Sequence, residues 1–222
     1  MKRIKISNNV IRRLPKYLRK LDDLTAAGVE RISSGELGRQ MGLTPSQIRQ
    51  DFSCFGEFGQ QGYGYNVVAL RQEIAKILGM DRNFSCVLVG VGNIGHALIS
   101  HFNFANFGFS LLGAFDVKSD LIGSDIHGVP VFDIKELRTK LNELQPDAAI
   151  LCLPSFYANE VAPVLVDCGI RGIWNFTNVE LDIPAHTTVI ENIYFSDSLL
   201  ALGYYLSEAL DEKAASEAKK SR

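Results

Sequence analysis

Cys86-Val87-Leu88-Val89-Gly90-Val91-Gly92-Asn93-Ile94-Gly95 is the stretch on which the fold turns. An apolar run that stops at glycine reads as a buried strand. The G-x-G-x-x-G spacing follows it directly and opens a helical pattern, the setting in which that spacing binds a dinucleotide. Gly90 permits the tight turn, Gly92 lets the backbone approach a pyrophosphate, and Gly95 lets helix and strand pack closely. The helix N-terminus then offers free N–H groups and a positive dipole end to the phosphates. Asp116 ends the next strand, 21 residues beyond Gly95, where an acid accepts hydrogen bonds from an adenosine ribose. A 2′-phosphate there would meet like charge, so NAD(H) is favoured over NADP(H).

Outward from this turn, strands and helices alternate. The helix from Gly95 to about Asn106 is followed by a strand over Ser110 to Asp116 and a short one at Val129-Pro130-Val131. Asp133 caps a helix from Ile134 to about Leu144. Ala148 to Leu153 is another buried strand, followed by a helix to about Cys168 and a strand over Gly172 to Phe176. Such alternation predicts an α/β, Rossmann-like doubly wound parallel sheet. A boundary falls near Gly79-Met80-Asp81-Arg82-Asn83, where a helical pattern ends at glycine.

Before that boundary the pattern is helical. Val10, Ile11, Leu14, Tyr17, Leu18, Leu21 and Leu24 recur at three- and four-residue spacing. Ser33-Ser34-Gly35-Glu36 reads as a capping box opening a short helix that stops at Gly42. Thr44-Pro45-Ser46-Gln47 opens another, with Thr44 as cap and Pro45 in the first position. Two short helices joined by a glycine turn predict a helix-turn-helix. Its second helix would present Ser46, Gln47, Arg49, Gln50 and Ser53 to base edges. There Arg49 suits guanine and Gln50 adenine. Lys2, Arg3, Lys5, Arg12, Arg13 and Lys16 are candidate phosphate contacts. Phe58 to Tyr65 alternates glycine with aromatics, as in a β-ribbon wing, and Asn66 caps a following helix.

Composition agrees with two modules. Of the 222 residues 46% are hydrophobic and 22% charged, an ordinary soluble balance. Residues 1–80 carry 13 Lys and Arg against 7 Asp and Glu; the remainder carries 10 against 18. A basic first third suits a polyanion partner. No apolar run reaches the roughly 20 residues of a membrane span, and no signal-peptide core follows Met1-Lys2-Arg3-Ile4-Lys5, so a cytoplasmic protein is expected. Cys54, Cys86, Cys152 and Cys168 lie too far apart for a metal cluster or disulfide framework. Four reduced cysteines are expected, with Cys54 a candidate redox thiol.

No catalytic set accompanies the glycine turn. His96 and His101 fall in the helix after it, and His127 and His186 in loop-like stretches. No paired carboxylates or hydrolase motif appears. The 30 residues from 193 to 222 are too few for a substrate domain. They hold Leu199, Leu202, Leu206 and Leu210 with Tyr204 and Tyr205, an apolar helix that packs on its own domain or reaches a partner subunit. The alternatives to a DNA-binding sensor are a small NAD-dependent oxidoreductase with an N-terminal dimerisation module, and a CoA- or nucleotide-binding scaffold.

The chain closely resembles the Rex family of redox-sensing transcriptional repressors. The resemblance rests on Ile48-Arg49-Gln50-Asp51-Phe52-Ser53-Cys54-Phe55-Gly56, Gly62-Tyr63-Gly64-Tyr65-Asn66-Val67 and the glycine turn. Ala114-Phe115-Asp116, Gly128-Val129-Pro130-Val131 and Asn175-Phe176-Thr177 extend it. It implies a homodimer on a palindromic operator, released when NADH binds, with no enzyme activity and no metal. It also implies a C-terminal helix swapped between subunits, with Phe195 of one against the nicotinamide of the other. The division becomes 1–80 winged helix, 81–192 dinucleotide domain and 193–222 dimerisation helix and tail. The implied cofactor set is Gly90, Val91, Gly92, Asn93, Ile94, Gly95, Asp116, Pro154 and Phe195. The implied DNA set adds Gln61, Gly62 and Tyr63 to the reading helix. Gln50 and Gln61 stand where relatives often carry basic residues. Some relatives couple the two events through an arginine, a tyrosine and an aspartate. Arg19 matches the first, the second falls on His101 or Phe102, and the third reads Tyr194, with Asp197 nearby.

Overall fold

Helix α1 (Asn8–Ala26) begins where the Ser7 side chain accepts the Val10 N–H at 3.4 Å, satisfying one donor of the first turn. The computed structural model describes residues 6–56, 63–184 and 187–220, with side chains through 213. The chain divides into two units, Met1–Asn83 with Asn106–Gly108, and Phe84–Ala105 with Phe109–Arg222.

In the first unit, α1 buries Val10, Leu14, Tyr17, Leu18, Leu21 and Leu24, the stripe its spacing predicts. Strand β1 (Arg31–Ile32) leads into α2 (Ser34–Met41), which Ser33 caps through the Glu36 N–H and Gly42 closes in the left-handed region. The Glu36 carboxylate reaches forward, to Arg39 at 2.7 Å and Gln40 at 2.8 Å. Helix α3 (Pro45–Ser53) is capped by Thr44, which accepts the Gln47 N–H at 3.2 Å. Strand β2 (Tyr65–Asn66) pairs antiparallel with β1, and Asn66 caps α4 (Val67–Ile77). The ribbon expected over Phe58–Tyr65 therefore rests on a strand preceding α2; its Phe58–Gly62 portion lies outside the described residues. A two-residue strand has no periodicity to read, so β1 left no mark in the sequence. Leu14, Tyr17, Leu21, Leu37, Ile48, Phe52 and Val67 meet in one core.

The second unit runs β3 (Phe84–Val89), α5 (Asn93–His101), β4 (Phe109–Asp116), β5 (Asp125–Ile126), β6 (Val129–Asp133), α6 (Leu137–Leu144) and β7 (Ala148–Leu151). Helix α7 (Ser155–Asp167), β8 (Gly172–Asn175), β9 (Val189–Asn192) and α8 (Phe195–Lys220) complete it. The sheet order is β5-β6-β4-β3-β7-β8-β9. All pairings are parallel except the β5–β6 edge hairpin. This is the doubly wound arrangement, with the chain reversing its direction of growth at β3. Val87 and Val89 point into one core and Cys86 and Leu88 into the other, as an unbroken apolar strand requires.

Two predicted boundaries move. Helix α5 stops at His101, not near Asn106, because Phe102 turns extended and packs on Phe104 at 4.9 Å and Trp174 at 5.7 Å. Residues Ile134–Glu136 form a 3-10 turn under the Asp133 cap before α6 begins at Leu137. Strands β5 and β9 are additions at the two sheet edges, where half-exposed residues blur any apolar alternation.

Candidate functional site

Because strands after β3 go first to one side and then to the other, the loops leaving β3 and β7 diverge and open a crevice. Here lies a cavity of about 520 Å³, with Gly90 and Gly92 on its floor. Gly90 sits at φ +99°, a region side chains avoid, and a Cβ on it would lie 2.7 Å from the Cys152 carbonyl. A Cβ on Gly95 would overlap the Gly90 carbonyl oxygen. Gly92 faces open space, and no side chain caps α5 there. Uncapped N–H groups at a helix start facing a void fit a pyrophosphate. Val91 and Gly95 are buried, whereas Asn93 and Ile94 are exposed on the first turn. Pro154 precedes α7 and lines the cavity with Tyr157, Glu160 and Lys118.

Asp116 ends β4 at the cavity and is only 8% exposed. Its Oδ2 accepts the Val91 N–H at 2.6 Å; Oδ1 accepts the N–H groups of Val117 and Lys118 at 2.8 and 2.9 Å. The residue expected to read a ribose thus also braces the glycine turn. A carboxylate offers about four acceptor positions, so roughly one remains for a ligand hydroxyl. Cys152, which also lines the cavity, has its thiol pushed up to about 12 by burial and so stays protonated. Burial does the same to Cys86.

The histidines stand apart from this chemistry. His96 and His101 are exposed on α5, His127 holds a positive-φ turn, and His186 lies outside the described residues. Among the described residues, no three His, Cys, Asp or Glu side chains group as metal ligands, and no helix is long and apolar enough to cross a membrane.

On α3, Ser46, Arg49, Gln50 and Ser53 lie on the exposed face, while Ile48, Asp51 and Phe52 are buried; Gln47 is intermediate. Arg49 Nη1 donates to Ser34 Oγ at 3.1 Å, and Ser53 Oγ donates to the Gln50 carbonyl at 2.8 Å. Tyr63 is 70% exposed, with the Arg31 guanidinium 5.6 Å from its ring centroid. Gln61 and Gly62 lie outside the described residues, as do Lys2, Arg3 and Lys5. Cys54, the candidate redox thiol, is half-buried and donates its S–H to the Gln50 carbonyl at 3.4 Å.

One expected phosphate contact is corrected. Arg13 turns inward, its Nε and Nη2 each 2.7 Å from Asp51, which also accepts the Tyr17 hydroxyl at 2.7 Å. The bond to Asp51 raises the Arg13 guanidinium further, and burial followed by Asp51 holds the Tyr17 hydroxyl far above the usual phenol range. Asp51 escaped the sequence reading, although its signal was there. Three residues after Ile48, it falls on the inward face of an amphipathic helix. Arg31 had no such mark, being exposed on an unpredicted strand.

Of the remaining predicted residues, Arg19 is exposed on α1, Phe102 is packed among aromatics, and Tyr194 is half-buried ahead of α8. Phe195 begins α8 with its ring 6.3 Å from that of Phe176. Along α8, Leu199, Leu200, Leu202, Tyr204, Tyr205, Leu206 and Leu210 are all at least half exposed.

Comparison with known proteins matches residues 5–53 to the family described as "Putative DNA-binding protein N-terminus" and residues 81–179 to "CoA binding domain". A protein of Caldicellulosiruptor bescii named redox-sensing transcriptional repressor Rex is 48% identical over 96% of this chain and 97% of its own. Its namesake in Clostridium beijerinckii is 50% identical over 92% and 96%. A crystal structure of RSP with β-NAD+ and operator DNA superposes at TM-score 0.87, with 43% identity over 96% of this chain and 99% of that one. RSP with β-NADH gives 0.86 at 40% identity, over 95% and 99%.

Proposed function

Since the chain belongs to the family of redox-sensing transcriptional repressors named Rex, we propose that its two sites work as input and output of one NADH/NAD+-responsive repressor. It is a regulator, not an enzyme, acting on operator DNA and sensing NAD(H). The observation that carries the reading is the pairing, in one chain, of an exposed polar reading helix with an uncapped glycine turn. As a DNA-acting regulator it works in the cytoplasm.

The proposed roles follow the geometry. The N–H groups at the uncapped start of α5, from Gly92 through Ile94, hold the pyrophosphate, while Gly90, Val91 and Gly95 shape the turn beneath it. Asp116 takes an adenosine hydroxyl and repels a 2′-phosphate, and Pro154 and Phe195 bound the nicotinamide end. Ser46, Gln47, Arg49, Gln50 and Ser53 meet base edges, and Gln61, Gly62 and Tyr63 form the wing's contacts. Bound NAD(H) supplies no chemistry in this scheme; the conformer it favours differs in DNA affinity. A ligand with equal affinity for both conformers would shift nothing. By linkage, operator DNA weakens NADH binding by the same factor that NADH weakens DNA binding. Coupling is assigned to Arg19, His101, Phe102 and Tyr194, with Asp197, three residues on, a candidate to replace the aspartate that Tyr194 displaces.

Anisotropy titration of palindromic DNA, selected from random sequence, tests the reading. NADH is expected to release the DNA and NAD+ to leave it bound; binding indifferent to NADH sinks the proposal. On the same DNA, Arg49→Ala is expected to weaken binding by roughly 1–3 kcal/mol and relax preference at one base pair. Unchanged discrimination across operator variants would remove Arg49 from the reading set.

A helix as apolar as α8, with large side chains exposed around it, needs a partner surface. Homodimerisation by exchange of α8 meets that need. Leu202→Glu combined with Leu206→Glu is expected to shift sedimentation from dimer to monomer, and a dimer that survives both places the interface elsewhere.

A further inference from the structure

We infer that Asp51 is a positioning residue for DNA reading: clamped from α1 by Arg13 and Tyr17, it sets the rotation of α3 about its own axis. This rests on the proposed DNA-reading role of α3. The helix has nine residues, and its other buried anchors, Ile48 and Phe52, are apolar. Apolar contact is less directional than a hydrogen bond, so those two hold the roll of the helix less sharply than a directed clamp does. The clamp supplies that direction. Both oxygens of Asp51, 2% exposed, are held in a bidentate fork by Arg13, and Oδ2 takes a third bond from Tyr17, whose own side chain is fully buried. The Tyr17 ring meets Phe52 edge-on at 4.9 Å, and Phe52 meets Tyr65 at 5.2 Å, so the clamp continues into apolar packing.

The energetic logic supports orientation over bulk stability. A buried ion pair gains little over apolar side chains of equal volume, whereas a bidentate fork adds geometric specificity. Rotation matters because side chains stand about 6 Å from a helix axis. A 20° roll therefore displaces Arg49 and Gln50 by roughly 2 Å at that radius, enough to break paired hydrogen bonds to a base. Arg13, engaged internally, acts on DNA only through α3.

Full-length protein and Asp51→Asn, Arg13→Lys and Tyr17→Phe variants are titrated against the selected operator and an unrelated duplex across a salt series. The operator-to-unrelated affinity ratio is expected to fall about tenfold in Asp51→Asn, less in Arg13→Lys, and two- to threefold in Tyr17→Phe. Binding to unrelated DNA, the slope of log affinity against log salt, and NADH binding by calorimetry are expected to stay as in the parent. An unchanged ratio in Asp51→Asn overturns the proposal. So does an Arg13→Ala variant that weakens both DNAs equally and flattens the salt slope by about one, the mark of a phosphate contact. If Asp51→Asn does not fold, Tyr17→Phe decides, and a parental ratio there overturns the proposal. A parent that does not discriminate operator from unrelated DNA would instead defeat the DNA-reading role itself.

Discussion

Gly95→Ala is expected to weaken NADH sensing sharply while leaving DNA binding in place. The added methyl would overlap the Gly90 carbonyl oxygen, and the Leu88 side chain lies 3.0 Å away on the strand behind it. The Gly90 carbonyl is backbone of the tight turn, at φ +99°, and cannot yield cheaply. To relieve the overlap, α5 must lift from β3, and its N–H groups leave the positions that suit a pyrophosphate. Overpacking of this kind costs about 1–3 kcal/mol, so NADH affinity falls by up to roughly 150-fold. Calorimetry reads the affinity, and operator release then requires correspondingly more NADH. Parental NADH affinity in Gly95→Ala would place the pyrophosphate elsewhere.

Asp116→Ala is the second large effect, and its brace on the glycine turn changes what that effect should be. In the role proposed for Asp116, its charge repels a 2′-phosphate, so its removal is expected to narrow the NADH-to-NADPH ratio. The same substitution strips an acceptor from Val91, Val117 and Lys118 at once. An unsatisfied buried donor costs about 1–3 kcal/mol, and the Val91 N–H is the one most enclosed. NADH affinity is therefore expected to drop by roughly 1–3 kcal/mol, with no compensating gain for NADPH. Asp116→Asn keeps one acceptor oxygen and should fall between. Calorimetric titration of both nucleotides separates the two roles. If Asp116→Ala binds NADPH as tightly as the parent binds NADH, the carboxylate is a discriminator and not a brace.

The glycine turn, the caps at Ser33, Thr44 and Asn66, and the closing Gly42 were all legible because their chemistry spans three or four residues. So was the alternation that makes the second unit doubly wound, since buried strands announce themselves as apolar runs. The face of α3 expected to meet base edges is exposed at Ser46, Arg49, Gln50 and Ser53. Arg13 was misassigned by the same local reasoning, because a basic residue on a basic helix resembles its solvated neighbours until its partner is known.

That partner is 38 residues away, and the carboxylate bracing Val91 is 25 away. No local rule selects a hydrogen-bond partner at such distances, because the choice is made by which helices and strands pack together. By itself the sequence determined the helices, the strands β3, β4, β6, β7 and β8, the glycine turn and the candidate groups for a dinucleotide or a base edge. Only tertiary packing decided that Asp116 faces the turn as well as the cavity, and that Asp51 meets Arg13 and Tyr17 in the core. Burial supplied the reason in both cases, since a carboxylate taken from water must find donors wherever the fold brings them.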